Sequence, residues 1–174
     1  MLSLKTAYLG IGTNKGIREK NISNAIKLLS NTKGIKLLKI SKMLKNPPQE
    51  GVKNGYFLNG AIKLLTSLTP FELLKECKRI ERKLGRRGRD GERGRQKKKR
   101  SRVIDLDILF YGNESIDIKE LTVPHPMIEK RYFVLVPLME IGEKFVHPVL
   151  KKSVRELYSD YFAPTSIKNC ASAV

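Results

Sequence analysis

The chain has 174 residues, 40% of them hydrophobic and 30% charged, a composition typical of one globular domain with a buried core. No apolar run approaches the roughly 20 residues of a membrane span, and the N-terminus lacks a signal-peptide core, so we expect a cytoplasmic protein. Two cysteines, Cys77 and Cys170, and two histidines argue against a disulfide framework or a zinc site. The net charge of +18 favours a polyanionic partner, such as nucleic acid or nucleotide phosphates.

The first part of the chain predicts a strand, a helix and two more strands. Residues 6–12 predict a strand, and apolar positions at helical spacing predict an amphipathic helix over 18–29. Residues 35–44 and 57–65 predict the second and third strands. Asn59 lies inside the third strand, where a buried amide would either read a ligand or bridge parts of the fold.

A second helix is predicted to begin after Thr69, because Thr69 can cap it, Pro70 suits the first helical position and Glu72 completes a capping box. It should end before Gly85. Residues 86–102 then contain ten Lys or Arg and two acidic residues. We predict a mobile basic loop that closes over ATP as a lid. The alternative is a solvated loop of a generally basic protein, without a function of its own.

The strand predicted over residues 102–110 carries two acidic residues in an apolar run. A strand's period of two places Asp105 and Asp107 on one face, roughly 6–7 Å apart, and the apolar residues around them on the buried face. Mg²⁺ prefers one or two carboxylates together with substrate phosphates and water. Beside a basic loop, the pair therefore predicts a magnesium and phosphate site. The alternative is two solvent-facing aspartates on a half-exposed strand.

The last part of the chain predicts smaller elements. Residues 116–118 predict a short strand, and 131–141 form a strongly apolar stretch that predicts core. His125 stands between two prolines that restrict the backbone, which favours a phosphate or nucleotide contact over a purely structural role. Ser153 predicts the cap of a last short helix, and residues 163–174 predict a tail.

The predicted order of elements is typical of a ferredoxin-like βαββαβ fold. This is an α+β fold in which an antiparallel sheet carries helices packed on one face. We therefore predict a single domain over residues 1–162, which includes a C-terminal extension, followed by the tail.

Several short motifs occur in a fixed order between about residues 5 and 145. They are Gly10-Ile11-Gly12-Thr13-Asn14, Asn46-Pro47-Pro48, Phe57-Leu58-Asn59, Arg102-Val103-Ile104-Asp105-Leu106-Asp107-Ile108, Leu121-Thr122-Val123-Pro124-His125-Pro126 and Arg131-Tyr132-Phe133-Val134-Leu135-Val136-Pro137-Leu138. Together they resemble the 6-hydroxymethyl-7,8-dihydropterin pyrophosphokinases of folate biosynthesis. The resemblance implies transfer of a pyrophosphoryl group from ATP to the pterin hydroxymethyl group, with release of AMP and with two Mg²⁺ ions as cofactors.

The resemblance also implies which residues form the site. Asp105 and Asp107 match the metal ligands, and Arg86 and Arg102 match loop arginines that hold the phosphates; these four are the implied catalytic residues. The other positions that match the nucleotide site are Glu81, Ile108, Thr122, His125 and Arg131. The positions that match the pterin site, where two aromatic rings sandwich the heterocycle, are Asn46, Pro47, Pro48, Phe57, Asn59 and Phe133.

The chain departs from the family pattern in its basic loop. Lys99-Arg100-Ser101 stands where the family often has Trp-Gly-Pro, and the loop is longer and more basic. An alternative of another class is a basic ferredoxin-like RNA-binding protein without catalysis. The chain lacks the aromatic strand signature with which such RNA-binding proteins read bases, and its two central acids would repel phosphate. We therefore expect a monomer that binds ATP and the pterin, with no membrane contact and no specific binding of nucleic acid.

Overall fold

The structure is a computed structural model that describes residues 4–47, 55–85 and 102–163. Within these ranges the chain forms seven strands, four α-helices and one short 3-10 helix. They are β1 (Lys5–Thr13), α1 (Arg18–Ser30), β2 (Ile35–Ile40), β3 (Leu44–Asn46), β4 (Phe57–Thr66), α2 (Pro70–Lys83), β5 (Asp105–Tyr111), β6 (Ile116–Ile118), β7 (Leu121–Val123), the 3-10 helix (Ile128–Lys130), α3 (Tyr132–Gly142) and α4 (Val154–Phe162).

The main sheet has the strand order β2-β4-β1-β5, with β3 paired to β4 beyond the end of β2, and every pairing is antiparallel. This confirms the predicted ferredoxin-like fold. The second predicted strand is divided into β2 and β3. The division occurs at Ser41, whose hydroxyl accepts the Ala61 N–H at 2.9 Å and so replaces a backbone acceptor of the ladder. A smaller sheet pairs β6 with β7.

Helices cover both faces of the main sheet. Helices α1 and α2 pack on one face, where Leu9, Leu29 and Ile80 belong to one buried cluster. Tyr8 and Leu135 belong to a second cluster, which joins the opposite face to α3 and α4. The expectation of helices on one face is therefore wrong for the C-terminal part.

The strongly apolar stretch over residues 131–141 forms most of α3. Its residues Leu135, Leu138 and Ile141 are buried, which confirms the predicted core. Glu140 is the only charged residue of α3, so the helix carries little periodic signal, and Pro137 inside it argues locally against a helix. Its helical form and its side of the sheet therefore could not be read from the pattern.

The predicted helix caps are confirmed. The Thr69 hydroxyl accepts the Glu72 N–H at 3.3 Å, and the Glu72 carboxylate accepts the Thr69 N–H at 2.7 Å. Ser153 and Glu156 form the same reciprocal pair at the start of α4. Of the helices in the described ranges, none combines the length and apolar character needed to span a membrane.

Some predictions concern residues outside the described ranges. Residues 86–101 of the basic loop and residues 164–174 of the tail lie outside the described ranges. The mobility of the loop and the extent of the domain over 1–162 remain predictions.

Candidate active site

The central strand β1 has a glycine between two polar side chains of its neighbours. Gly12 pairs with Asn59 of β4 on one side and with Asp105 of β5 on the other. Directly opposed residues of antiparallel strands point to the same face, so an amide and a carboxylate flank a position that has no side chain. A Cβ at Gly12 would lie 2.6 Å from the Asn59 Oδ1. Only the backbone of β1 therefore fits between them.

Gly10 repeats this arrangement one row further along the sheet. It pairs with Ala61 of β4 and with Asp107 of β5. The prediction that Asp105 and Asp107 share one face is confirmed, and Leu106 between them is fully buried on the other. The two glycines place no side chain of β1 beside the carboxylates, although the Leu109 side chain lies 3.4 Å from the Cβ position at Gly10.

The charge of Asp107 is unfavourable in its surroundings. Burial and the nearby charge of Asp105 raise the pKa of Asp107 above its ordinary value. Three other residues oppose this rise, namely His125, Lys78 and Arg102. A carboxylate that is destabilised by burial and by a second carboxylate gains stability from a bound cation.

The carboxylate pair has the chemistry of a magnesium site that a substrate completes. Within the described ranges, no group of three or more His, Cys, Asp or Glu side chains could hold a metal ion by itself. Asp105 and Asp107 supply two hard oxygen donors, which suits Mg²⁺ when phosphate oxygens and water provide the remaining ligands. The residues therefore fit the two ions that the sequence resemblance implies.

Arg102 is held beside this pair by the end of β1. The Asn14 N–H donates to the Arg102 carbonyl oxygen at 3.1 Å, and the Asn14 Oδ1 accepts the Arg102 N–H at 2.6 Å. The Thr13 hydroxyl donates to the Val103 carbonyl oxygen at 2.6 Å. From this fixed backbone the Arg102 guanidinium forms an ion pair with Asp105. A planar guanidinium in this position suits phosphate oxygens as well as carboxylates.

Glu81 of α2 contacts the strand between the two aspartates. Its side chain is 1% exposed, and its Oε1 accepts the Leu106 N–H at 2.8 Å. Lys78 Nζ lies 3.1 Å from the Glu81 Oε2 and forms an ion pair with it. Glu81 therefore holds the carboxylate strand from the helix side. Its contact with a nucleotide remains a prediction.

The other predicted nucleotide residues lie on β5, on β7 and in the segment between β7 and α3. The His125 N–H donates to the Leu109 carbonyl oxygen at 3.0 Å, and its Nδ1 is buried without a hydrogen-bond partner among the described residues. Ile108 is 3% exposed and packs in the core. Thr122 lies in β7, and Arg131 directly precedes α3. Their contacts with ATP remain predictions.

Of the predicted pterin residues, Asn46 lies on β3, Phe57 and Asn59 lie on β4, and Phe133 lies on α3. The Asn59 Nδ2 donates a short hydrogen bond to the Asn46 Oδ1, and Asn46 pairs with Phe57 in the β3–β4 ladder. The bridging role weighed for Asn59 is therefore confirmed, and its ligand-reading role remains a prediction. Phe57 and Phe133 are both half-buried.

Two predicted site residues, Arg86 and Pro48, lie outside the described residues. Pro47 is the last described residue before the undescribed residues 48–54. The Asn46 Nδ2 donates to the Pro47 carbonyl oxygen at 3.2 Å. The roles of Arg86, Pro47 and Pro48 stay predictions.

Sequence reasoning assigned no role to three residues that contact this region: Asn14, Arg18 and Lys78. For Lys78 the spacing of three to Glu81 on one helix was an available signal. Asn14 directly follows a strand that carries two glycines, which marks it as a candidate for a local contact. The contact of Arg18 with the Tyr56 carbonyl had no local signal, because Tyr56 lies 38 residues away in the chain.

Comparisons with known proteins show which family the chain belongs to. The model of the 7,8-dihydro-6-hydroxymethylpterin-pyrophosphokinase (HPPK) family matches residues 8–143. The chain is 39% identical over 153 residues to the 2-amino-4-hydroxy-6-hydroxymethyldihydropteridine pyrophosphokinase of Aquifex aeolicus, covering 88% of this chain and 90% of that protein. With the enzyme of the same name from Bacillus subtilis it is 38% identical over 138 residues, covering 79% and 78% of the two chains.

Two other matches are to longer proteins. The folic acid synthesis protein fol1 of Pneumocystis carinii is 39% identical over 154 residues, which span 88% of this chain and 20% of that protein. The crystal structure of wild-type Plasmodium falciparum HPPK-DHPS with pteroate superposes with a TM-score of 0.71 at 17% identity, over 91% of this chain and 42% of that chain. The structural match supports the fold.

Proposed function

Because this chain belongs to the 7,8-dihydro-6-hydroxymethylpterin-pyrophosphokinase family, we propose that it transfers a pyrophosphoryl group from ATP to 6-hydroxymethyl-7,8-dihydropterin. It is an ATP-dependent pyrophosphokinase of folate synthesis. In the proposed reaction the pterin hydroxyl oxygen bonds to the β-phosphorus of ATP. The bond from that phosphorus to the oxygen of the α-phosphate breaks, the hydroxyl proton is released and AMP leaves.

The observation that carries the proposal is the row Asn59, Gly12 and Asp105 across three strands. An amide that can read the edge of a heterocycle and a carboxylate suited to a phosphate-bound cation lie on one face, separated by backbone alone. This arrangement would bring a flat acceptor and a phosphate chain together without an intervening side chain. Holding two reactants in this way removes much of the entropic barrier of a bimolecular step.

Asp105 and Asp107 are the residues that would hold Mg²⁺. Bound there, the metal would neutralise charge on the phosphate oxygens and so favour attack on phosphorus. The raised pKa of Asp107 supports this assignment, since binding a cation relieves the repulsion between the two carboxylates.

Arg102 would exchange partners when ATP binds. Its guanidinium now pairs with Asp105, and a triphosphate offers it oxygens of higher charge in a matching geometry. We expect Arg102, and Arg86 by resemblance, to hold the phosphates while charge develops on the leaving AMP. The backbone clamp from Asn14 would keep this guanidinium in register with the carboxylate pair.

The pterin would bind between Phe57 and Phe133, with its hydrogen-bonding edge on Asn59. Two aromatic faces supply apolar contact area and stacking for a flat ring. We expect the enzyme to act as a monomer in the cytoplasm. Binding of RNA as an alternative activity has no observation in its favour beyond the net charge of +18.

The test is the identity of the products. We expect the protein, incubated with ATP, Mg²⁺ and 6-hydroxymethyl-7,8-dihydropterin, to yield AMP and a pterin heavier by two phosphoryl groups, as measured by mass spectrometry. ADP with a singly phosphorylated pterin would contradict the proposed reaction type. An unmodified pterin in the presence of folded protein would contradict the proposed acceptor.

A further inference from the structure

Arg18, the first residue of α1, connects two chain segments that lead into the candidate site. Its Nε donates to the Tyr56 carbonyl oxygen at 2.9 Å, and its Nη2 donates to the Asn14 carbonyl oxygen at 3.3 Å. Tyr56 immediately precedes Phe57, the proposed stacking residue. Asn14 in turn holds the backbone of Arg102. One guanidinium therefore joins the start of β4 to the backbone of the proposed phosphate ligand.

The surroundings of Arg18 suit a planar guanidinium. Its Cζ lies 4.2 Å from the centroid of the Tyr56 ring, the distance of a cation–π contact. Gly55 has a φ of +91°, and a Cβ there would lie 2.5 Å from the Arg18 Nη2. The absence of a side chain at residue 55 thus permits the close approach. A lysine could supply the charge, but not two donors and a stacking plane at once.

We propose that Arg18 is a positioning residue for pyrophosphoryl transfer, which fixes the start of β4 and the backbone of Arg102 relative to each other. The inference rests on the proposed function, since it requires Arg102 to hold phosphate and Phe57 to stack on the pterin. Arg18 acts on the phosphates only through Asn14 and Arg102. Reacting atoms must come within about 3–3.5 Å of each other, and a misplacement of about 1 Å can cost up to a hundredfold in rate.

The test is a double-mutant cycle between Arg18 and Arg102 in the full chain. We expect Arg18→Gln to lower kcat about tenfold when Arg102 is present, within the range set by small misplacements. In an Arg102→Gln background the same change should lower kcat less than about twofold, because the group through which Arg18 acts is gone. We also expect Arg18→Gln to raise the KM for the pterin, because Arg18 contacts Tyr56 next to the proposed stacking residue Phe57. This rise should be present in both backgrounds.

Two further variants keep the cycle interpretable. Lys20→Gln removes an equal charge from an exposed position of the same helix and should leave kcat unchanged. Arg18→Lys keeps the charge and should resemble Arg18→Gln, because the forked donor is lost; it also replaces Arg18→Gln in the cycle if that variant does not fold. Thermal unfolding of each variant measures any general loss of stability.

An equal loss of kcat from Arg18→Gln in both backgrounds would overturn the inference, since a merely structural role predicts additive effects. So would a loss that Lys20→Gln reproduces, or full activity of Arg18→Gln beside an active wild type. If the wild type itself produces no AMP with the pterin, the proposed function fails first, and that result is distinct from the other three.

Discussion

Glu81, buried in α2, accepts the backbone N–H of Leu106, the residue between the two aspartates of β5, at 2.8 Å. Strand β5 ends the order of the main sheet and pairs there with β1 on one side. The Glu81 carboxylate satisfies a donor of this strand from the helix side. The backbone that carries Asp105 and Asp107 is therefore held by β1 and by α2.

This contact predicts different effects for two substitutions of Glu81. Glu81→Ala removes the acceptor of a buried N–H, which should lower the free energy of unfolding by about 1–3 kcal/mol and also lower kcat, because the aspartate strand loses its support. Glu81→Gln keeps an acceptor oxygen and should retain more of both. Urea unfolding with steady-state kinetics checks this; equal stability of Glu81→Ala and the wild type would contradict it.

Replacement of Asp107 should separate stability from activity. Because burial raises the pKa of Asp107 in the folded protein, ionisation of this group costs folding free energy as the pH rises through its folded pKa. Without ligands, Asp107→Asn should therefore unfold at a higher temperature than the wild type at neutral pH. The advantage should shrink below the ordinary pKa of 3.8, where both states are protonated.

Asp107→Asn should also lower kcat at least about a hundredfold, which is the scale of losing one preorganised electrostatic group. Thermal unfolding across pH and initial rates of AMP release measure the two effects. A variant that is both less stable at neutral pH and fully active would contradict the account of Asp107.

The two glycines of β1 offer a matched pair of substitutions that tests the pterin role of Asn59. A Cβ at Gly12 would lie 2.6 Å from the Asn59 Oδ1, whereas a Cβ at Gly10 would lie 3.4 Å from the Leu109 side chain. Gly12→Ala should therefore displace the Asn59 amide and raise the KM for the pterin, on the order of tenfold for a lost polar contact. Gly10→Ala should have a smaller effect on the pterin. Equal values of this KM in the two variants would argue against a pterin role for Asn59.

Cys77 should be chemically inert in the folded protein. Burial, with the nearby charge of Glu81, raises the pKa of its thiol to about 12, and the thiolate is the reactive form. In a Cys170→Ser variant, which leaves Cys77 as the single thiol, labelling by a maleimide near neutral pH should require unfolding by urea. Rapid labelling of the native variant would contradict the buried position of Cys77.

The sequence predicted those features that depend on neighbouring residues. The capping box of Thr69 and Glu72 forms within one turn, and the shared face of Asp105 and Asp107 follows from the period of a strand. That period fails at Leu109, two residues after Asp107. Opposite the successive residues Tyr8 and Leu9 of β1 stand Phe110 and Ile108, so Leu109 is an extra residue in the ladder. A bulge of this kind depends on the partner strand and has no local signal.

Other features depend on contacts that are distant in the chain. The side of the sheet covered by α3 was not predictable, because a helix with one charged residue, Glu140, has no continuous polar face to mark its orientation. Arg18 is the first residue of α1, and an arginine at a helix end usually meets solvent. Its contact with Tyr56 becomes visible only when β4 is placed beside β1.

The most direct test of the account is the initial rate of AMP release from ATP and Mg²⁺, measured with and without 6-hydroxymethyl-7,8-dihydropterin. Asp105→Asn serves as the control variant, since its side chain keeps its size and loses the charge. We expect AMP only when the pterin is present, in equal amount to the pterin consumed, and little or none from the variant. AMP formed at the same rate without the pterin, or by Asp105→Asn, would contradict it.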